Sequence, residues 1–161
     1  MKKIFLTFAT AALFSVSAFA ATGGGKKANE ASTHVSYNIQ QQFATEFADA
    51  QNIIWTVNRN CQKAEFTIDG VKRTAFYNLS GDFLGTTQTI GYNAIPAKSQ
   101  KEIANKYKGY EAQGVIVYQA NELLNDSIDP TSYFVDLKSD NHEVLVRVTQ
   151  SGSTEFFQQI N

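Results

Sequence analysis

Apolar residues along this chain follow two different spacings, which succeed one another in the same order twice. Ile39, Phe43 and Phe47 lie four residues apart with Gln and acidic residues between them, as on one face of a helix. A second segment opens at Pro96, a residue suited to the first turn of a helix, and carries Ile103 on its apolar side. The pattern therefore predicts two amphipathic helices, one in each half of the chain.

Alternating apolar and polar residues, typical of strands, follow each predicted helix. One strand comes directly after the helix, at Ile53–Val57 and again at Val115–Gln119. Thr67–Ile90 and Val135–Ile160 then each contain three further strands, separated by a polar tip and by a Ser-Gly turn. Strands joined by such short turns pair antiparallel, because parallel pairing needs a long crossover.

Together these patterns predict an α+β fold of two tandem units, each with one helix and a four-stranded antiparallel sheet. The two repeats are expected at residues 34–92 and 93–161, within a single domain at residues 34–161. One helix covers only one face of such a sheet. We therefore expect the helices on one face and an open face on the other side.

The first twenty residues have the pattern of a secretory signal peptide. Two lysines precede the apolar segment Ile4–Phe14, and a cleavage site of small residues ends at Ala20. A retained membrane helix is the alternative, but the apolar run is short for about 30 Å of hydrocarbon. We expect signal peptide cleavage after Ala20, a flexible Gly-rich leader at residues 21–33, and a periplasmic or secreted protein without a membrane span.

Strand alternation divides side chains between the helix-packed face and the open face. In the first unit it sends these residues inward: Val71, Ala75, Tyr77 and Leu79. That leaves Phe76 on the open face among polar neighbours. In the second unit it sends these residues inward: Tyr133, Val135, Leu137, Val144, Val146 and Val148.

The outward residues predict a partner-binding surface on the open face. Its proposed members are Phe76, Tyr118, Phe134, Leu145, Arg147 and Phe157, with Phe156 as the alternative to the last. Aromatic residues together with Arg on a polar background are typical of protein interfaces. The alternative is that another part of the chain or a partner sheet covers these side chains.

Charge and reactive residues exclude several classes of function. Without Lys2 and Lys3 the chain has twelve basic and fifteen acidic residues, a net charge of −3, and no basic patch suited to nucleic acid. His34 and His142 have no catalytic partner at a recognisable spacing. The single Cys61 can form no internal disulfide, which leaves pairing between two chains as an option. We therefore expect neither an enzyme nor a cofactor.

The acidic residues fall mostly in predicted turns, where Asp normally hydrogen-bonds its own backbone. The longest polar loop, Asn125–Pro130, lacks the alternating ligand spacing of a calcium loop. No metal site is predicted, although a small-ligand or metal-sensing protein that uses these loops is the alternative function. Asp126-Ser127-Ile128 also matches a short O-glycosylation sequon.

Several short motifs resemble the PepSY-like family of small secreted bacterial proteins, which is similar in fold to the β-lactamase inhibitor protein. The motifs are Ala50–Trp55, Asp69-Gly70, Ala75–Leu84, Ala94–Pro96 and Tyr107–Tyr110, and the resemblance covers Ser36 to Ile160. It implies two helix-plus-sheet units with an open, often concave sheet face, by which the inhibitor grips an enzyme. The chain lacks the inhibitor's disulfides, and no inhibitory residue is carried over.

These arguments favour a secreted or periplasmic binding protein without enzymatic activity. Its partner would be a protein or peptide that engages the open sheet face.

Overall fold

The structure, a computed structural model, describes residues 35–121, 123 and 129–160. The predicted signal peptide, the leader, His34 and the sequon at residues 126–128 lie outside the described residues. None of the described helices is both long and apolar enough to cross a membrane. The elements in chain order are α1 (Tyr37–Glu46), β1 (Gln51–Val57), β2 (Gln62–Ile68), β3 (Val71–Tyr77), β4 (Phe83–Ile90), a 3₁₀ turn (Tyr92–Ala94), α2 (Ala97–Lys106), β5 (Glu111–Ala120), β6 (Thr131–Lys138), β7 (Glu143–Thr149) and β8 (Thr154–Ile160).

All eight strands form one antiparallel sheet, and their order in the sheet is their order in the chain. The α+β class and the antiparallel pairing are confirmed. The two four-stranded sheets expected from the sequence are one continuous sheet, because β4 pairs with β5 through contacts such as Thr87 with Tyr118.

Both helices lie on the same side of this sheet. Directly paired residues of neighbouring strands point to one face, and one such row runs from Phe66 to Val148 across six strands. Phe66 packs in the core under α1, and Val148 packs in the core under α2. The opposite side of the sheet is called here the bare face.

The core under α1 is built largely from aromatic rings. Ile39 and Phe43 are its buried helical residues, and the Phe43 ring meets Phe66 edge-on with 5.0 Å between ring centroids. The sheet makes room for these rings with two small residues, Ala64 and Ala75, which are directly paired and fully buried. Because interiors are close-packed, the small and large side chains must compensate each other in volume.

The core under α2 is built from aliphatic side chains instead. Ile103 of α2 packs on a row of three directly paired valines, Val115, Val135 and Val146. All of these residues are buried. The inward residues predicted for the second unit lie on this side of the sheet, with Tyr133 only half-buried.

One inward assignment in the first unit is wrong. Leu79 is 58% exposed, because β3 ends at Tyr77 and the alternation stops there. Val71 lies on the helix side with Arg73 and Ala75 as predicted, but it is exposed because it begins β3 directly beside the Asp69-Gly70 turn. In that turn both residues have positive φ, at 52° and 77°, as a two-residue hairpin of the type favoured by Asp-Gly requires.

The two Ser-Gly turns are closed by the same set of hydrogen bonds. In the first, the Asn78 side chain accepts from the Asp82 amide at 2.8 Å, and the Gly81 amide donates to the Asn78 carbonyl at 3.1 Å. In the second, Thr149 Oγ1 accepts from the Ser153 amide at 3.1 Å, and the Gly152 amide donates to the Thr149 carbonyl at 2.9 Å.

Each of these turns also approaches the third residue of a helix. A Cβ added to Gly81 would lie 3.2 Å from the side chain of Ile39 in α1. A Cβ added to Gly152 would lie 3.3 Å from Ser99 Oγ in α2, and this hydroxyl donates to the Gly152 carbonyl at 2.9 Å. The Ser-Gly turns therefore dock the helices onto the sheet.

Gly152→Ala is expected to destabilise the protein more than Gly70→Ala. Both glycines have positive φ, which costs an alanine about 1 kcal/mol. Only Gly152 also faces a helix, so its added methyl group should raise the loss to about 2 kcal/mol, whereas Gly70 has open space around it. Urea unfolding of the two variants checks this, and equal losses would contradict the docking role of the turn.

Candidate functional site

The bare face carries alternate residues of every strand. Its first half is largely polar, as the paired residues Glu65, Thr74 and Thr87 illustrate. Its second half carries most of the residues proposed from the sequence. All six of these residues lie on the bare face: Phe76, Tyr118, Phe134, Leu145, Arg147 and Phe157.

Four of the six residues are brought together on strands β6, β7 and β8. The rings of Phe134 and Phe157 meet edge-on with 5.0 Å between centroids and an interplanar angle of 72°. Arg147 is the direct cross-strand partner of Phe134, and Leu145 lies on the same strand and the same face. We call Phe134, Leu145, Arg147 and Phe157 the β6–β8 cluster.

Arg147 is held in place by the strand beside it. Its Nε and Nη2 atoms donate to Ser132 Oγ at 3.3 and 3.1 Å. Ser132 is itself buried, so water has little access to its hydroxyl, and the arginine supplies a hydrogen-bond partner there. The guanidinium therefore adds positive charge to the cluster from a defined position.

A register shift in β8 decides between the two neighbouring phenylalanines. Phe156 pairs with Val146, which lies in the core under α2, so Phe156 is on the helix side and 58% exposed. Phe157 falls at the register shift, contacts Phe134 on the bare face and is 37% exposed. An extra residue at such a bulge breaks the alternation, so the sequence pattern alone leaves the choice open.

Tyr118 and Phe76 form a second group, away from the cluster. Phe76 is half-buried and pairs with Gly85. A Cβ at Gly85 would lie 2.3 Å from the Gln119 carbonyl oxygen and 2.9 Å from the Tyr118 ring, at a φ of 146°, so only glycine fits. The ring of Tyr118 thus lies over the glycine.

The hydroxyl of Tyr118 also joins two strands. It donates to the Leu84 carbonyl at 2.8 Å, and burial raises the pKa of Tyr118. Leu84 belongs to β4 and Tyr118 to β5, the two strands that join the halves of the sheet. Tyr118 therefore stabilises this junction, whatever it contributes to a partner.

Two neighbouring residues of the bare face are buried although no described helix covers them. Leu145 is 2% exposed, and its direct partner Asp136 is 8% exposed. Among the described residues, Asp136 Oδ1 has no hydrogen-bond partner. Burial raises the pKa of Asp136, Glu143 raises it further, and Lys138 lowers it.

Asp136 is absent from the site predicted above, although alternation places it on the open face. The sequence pattern that could have indicated it is an acidic residue that alternation places on the same face as Phe134. Alternation assigns a face but not a depth, so the burial of Asp136 could not be read from it.

The other residues considered for chemistry serve turns. The Cys61 amide donates to Asn58 Oδ1 at 2.8 Å, and the His142 amide donates to Ser139 Oγ at 3.2 Å. Asp129 Oδ2 accepts from the Gln150 amide at 3.1 Å. Among residues 35–121, 123 and 129–160, no three His, Cys, Asp or Glu side chains are grouped as metal ligands. The alternative of ligand binding in acidic loops stays a prediction.

Comparison with known proteins shows a shared fold. No model of a known protein family matches the sequence, and no curated protein matches it. A DUF2874 family protein from Bacteroides uniformis superposes with a TM-score of 0.66 at 14% identity, over 80% of this chain and 90% of that one. A BLIP-like protein from Bacteroides fragilis gives 0.62 at 16% identity, over 78% and 84%.

A third structure, from Bacteroides eggerthii and provisionally described as periplasmic, gives a TM-score of 0.66 at 14% identity, over 80% and 89%. The protein therefore has the fold of these DUF2874 and BLIP-like proteins, where BLIP denotes the β-lactamase inhibitor protein. At these identities the likeness shows the fold alone. The resemblance to the PepSY-like family stays a prediction.

Asp136→Asn is expected to raise the melting temperature by a few degrees at neutral pH, because it removes a charge that burial disfavours. Folding raises the pKa of Asp136 above its ordinary 3.8. The stability that this shift contributes is complete below the ordinary value and is lost as the pH rises through the folded value. The advantage of the variant should therefore grow from about pH 3 to pH 7.

Thermal melts of both proteins across this pH range check the expectation. Asp140→Asn, at an exposed position of the β6–β7 hairpin tip, is the matched control. A melting temperature that falls at neutral pH in Asp136→Asn would show that the fold stabilises the charged carboxylate and would contradict the expectation.

Proposed function

We propose that this protein is a non-enzymatic binding protein that engages a protein or peptide through the bare face of its sheet. The observation that carries the proposal is the β6–β8 cluster, in which an aromatic pair and a tethered arginine lie together on the face that no described helix covers. A few residues supply most of the binding energy in protein interfaces, and large aromatic rings and arginine are common among them. The edge-on pair also presents rigid rings, which lose little entropy on binding.

We infer that the protein acts in the periplasm or outside the cell. The signal-peptide pattern of the first twenty residues supports this location, as does the provisional periplasmic description of the B. eggerthii protein. The shared fold with the BLIP-like protein supports a binding role.

We also infer that the two halves of the sheet are repeats of one unit. The order of one helix and four strands occurs twice. The Ser-Gly turns share their hydrogen bonds, and each approaches the third residue of its helix. The bare-face residues then belong to two related surfaces, and the aromatic pair lies on the second.

Photo-cross-linking in cells that make the protein tests the proposed function. A photoreactive phenylalanine analogue is introduced at position 157, on the bare face, or at position 156, on the helix side. These positions are adjacent, exposed and on the same strand, so they form a matched pair. We expect a discrete cross-linked product from position 157 and none from position 156.

The partner identified in this way is then titrated against variants by calorimetry. Phe134→Ser and Phe157→Ser should each weaken binding by about tenfold or more, as expected for central aromatic contacts. Phe156→Ser should change the affinity less than twofold. Equal products from both positions, or equal losses in all three variants, would refute binding through the bare face.

A further inference from the structure

Asp136 lies beside an unfilled position of the sheet. Its direct partner on β5 is Gly114, so a side chain at position 114 would point to the bare face next to the carboxylate. A Cβ added to Gly114 would have no atom within 4 Å. Glycine inside a strand often marks a place where another group approaches the backbone closely.

The cations that strands β6 and β7 place on the bare face, Lys138 and Arg147, have other partners. Lys138 Nζ lies 3.4 Å from Glu143 Oε2, and Arg147 donates to Ser132. Glu111 and Glu143 are the acidic residues that the flanking strands β5 and β7 place on this face. Acidic groups therefore outnumber basic ones around Asp136, so the local charge favours an incoming cation.

A buried carboxylate oxygen without a hydrogen bond is costly to the fold. Buried polar groups are almost always satisfied, and an exception indicates a missing partner such as a water, an ion or a ligand group. The neighbouring rings of Phe134 and Phe157 also suit a cation, which is attracted to aromatic faces. A positively charged group would thus satisfy both features at once.

We propose that Asp136 anchors a lysine or arginine side chain of the bound partner, which enters over Gly114 and lies beside the β6–β8 cluster. This inference rests on the proposed function and adds the chemistry of the partner: a basic residue flanked by a segment that contacts Phe134 and Phe157. The Asp136 carboxylate supplies a negative charge, the missing side chain of Gly114 leaves space for the incoming basic side chain, and the rings of Phe134 and Phe157 lie on one side of that space.

The test uses short capped peptides as probes. The first is Gly-Gly-Lys-Gly-Gly, the second has arginine in place of lysine, and the third has acetyl-lysine, which keeps the length but removes the charge. Each is titrated into ¹⁵N-labelled protein. We expect the lysine and arginine peptides to shift the amide signals of Gly114, Asp136 and Leu145, and acetyl-lysine to bind at least fivefold more weakly.

Two variants locate the binding. Asp136→Asn keeps the shape of the side chain and should weaken binding of the lysine peptide at least fivefold. Gly114→Val fills the space beside the carboxylate with a residue that strands accept and should also prevent binding. Glu155 lies on β8, two strands away from Asp136, so Glu155→Gln removes a negative charge outside the site and should leave binding within twofold. An unchanged spectrum outside the site verifies folding of each variant.

Several outcomes would overturn the inference. These are equal binding of the acetyl-lysine peptide, unchanged affinity in Asp136→Asn, or shifts that centre on the turns at Asp82 or Asp140 instead. The cross-linking at positions 156 and 157 does not depend on the peptide charge. A product at position 157 together with failure of the lysine peptide would therefore reject the anchor and retain the bare face as the binding surface.

Discussion

In the described part of the chain, two ten-residue helices pack on one face of an eight-stranded sheet and none packs on the other, and this constraint shapes the molecule. Strands spaced about 4.8 Å apart give a sheet roughly 34 Å wide, and each helix with its side chains is about 10 Å across. Side by side the two helices span about 20 Å of this width, so they cover only part of one face and leave the other bare. Every residue in outward phase must then be polar, be covered by its neighbours, or meet another molecule.

The two halves of the bare face meet this constraint differently. The first half uses mostly Thr, Lys and Glu side chains, with Phe76 half-buried and Ile54 61% exposed among them. The second half uses phenylalanines that shield each other, with Leu145 and Asp136 buried between strands. A buried carboxylate oxygen without a hydrogen-bond partner opposes stability, and such compromises are common at functional sites.

Sequence patterns predict the regular parts of this structure well. β7 alternates without interruption, so its three valines and its outward residues lie where periodicity places them. The Asp-Gly and Ser-Gly turns were recognisable because each requires positive φ at its glycine. Periodicity fails where a strand stops, as at Leu79, and where a bulge inserts a residue, as at Phe157.

The depth of a residue is harder to predict than its face. Leu145 and Arg147 share a phase and a strand, yet one is buried and the other half-exposed. Their difference arises from side chains on two other strands, and no local pattern encodes it. The same limit applies to Tyr118, whose hydroxyl bonds a carbonyl thirty-four residues away.

The order of strands in the sheet has a consequence for how the protein assembles. Because each strand pairs with its neighbour in the chain, no strand has to await a distant segment before it can join the sheet. The sheet can extend from any hairpin by one strand at a time, and each helix can dock once its Ser-Gly turn has closed. The aromatic pair can form only after β8 has joined the sheet, since Phe157 lies on that strand.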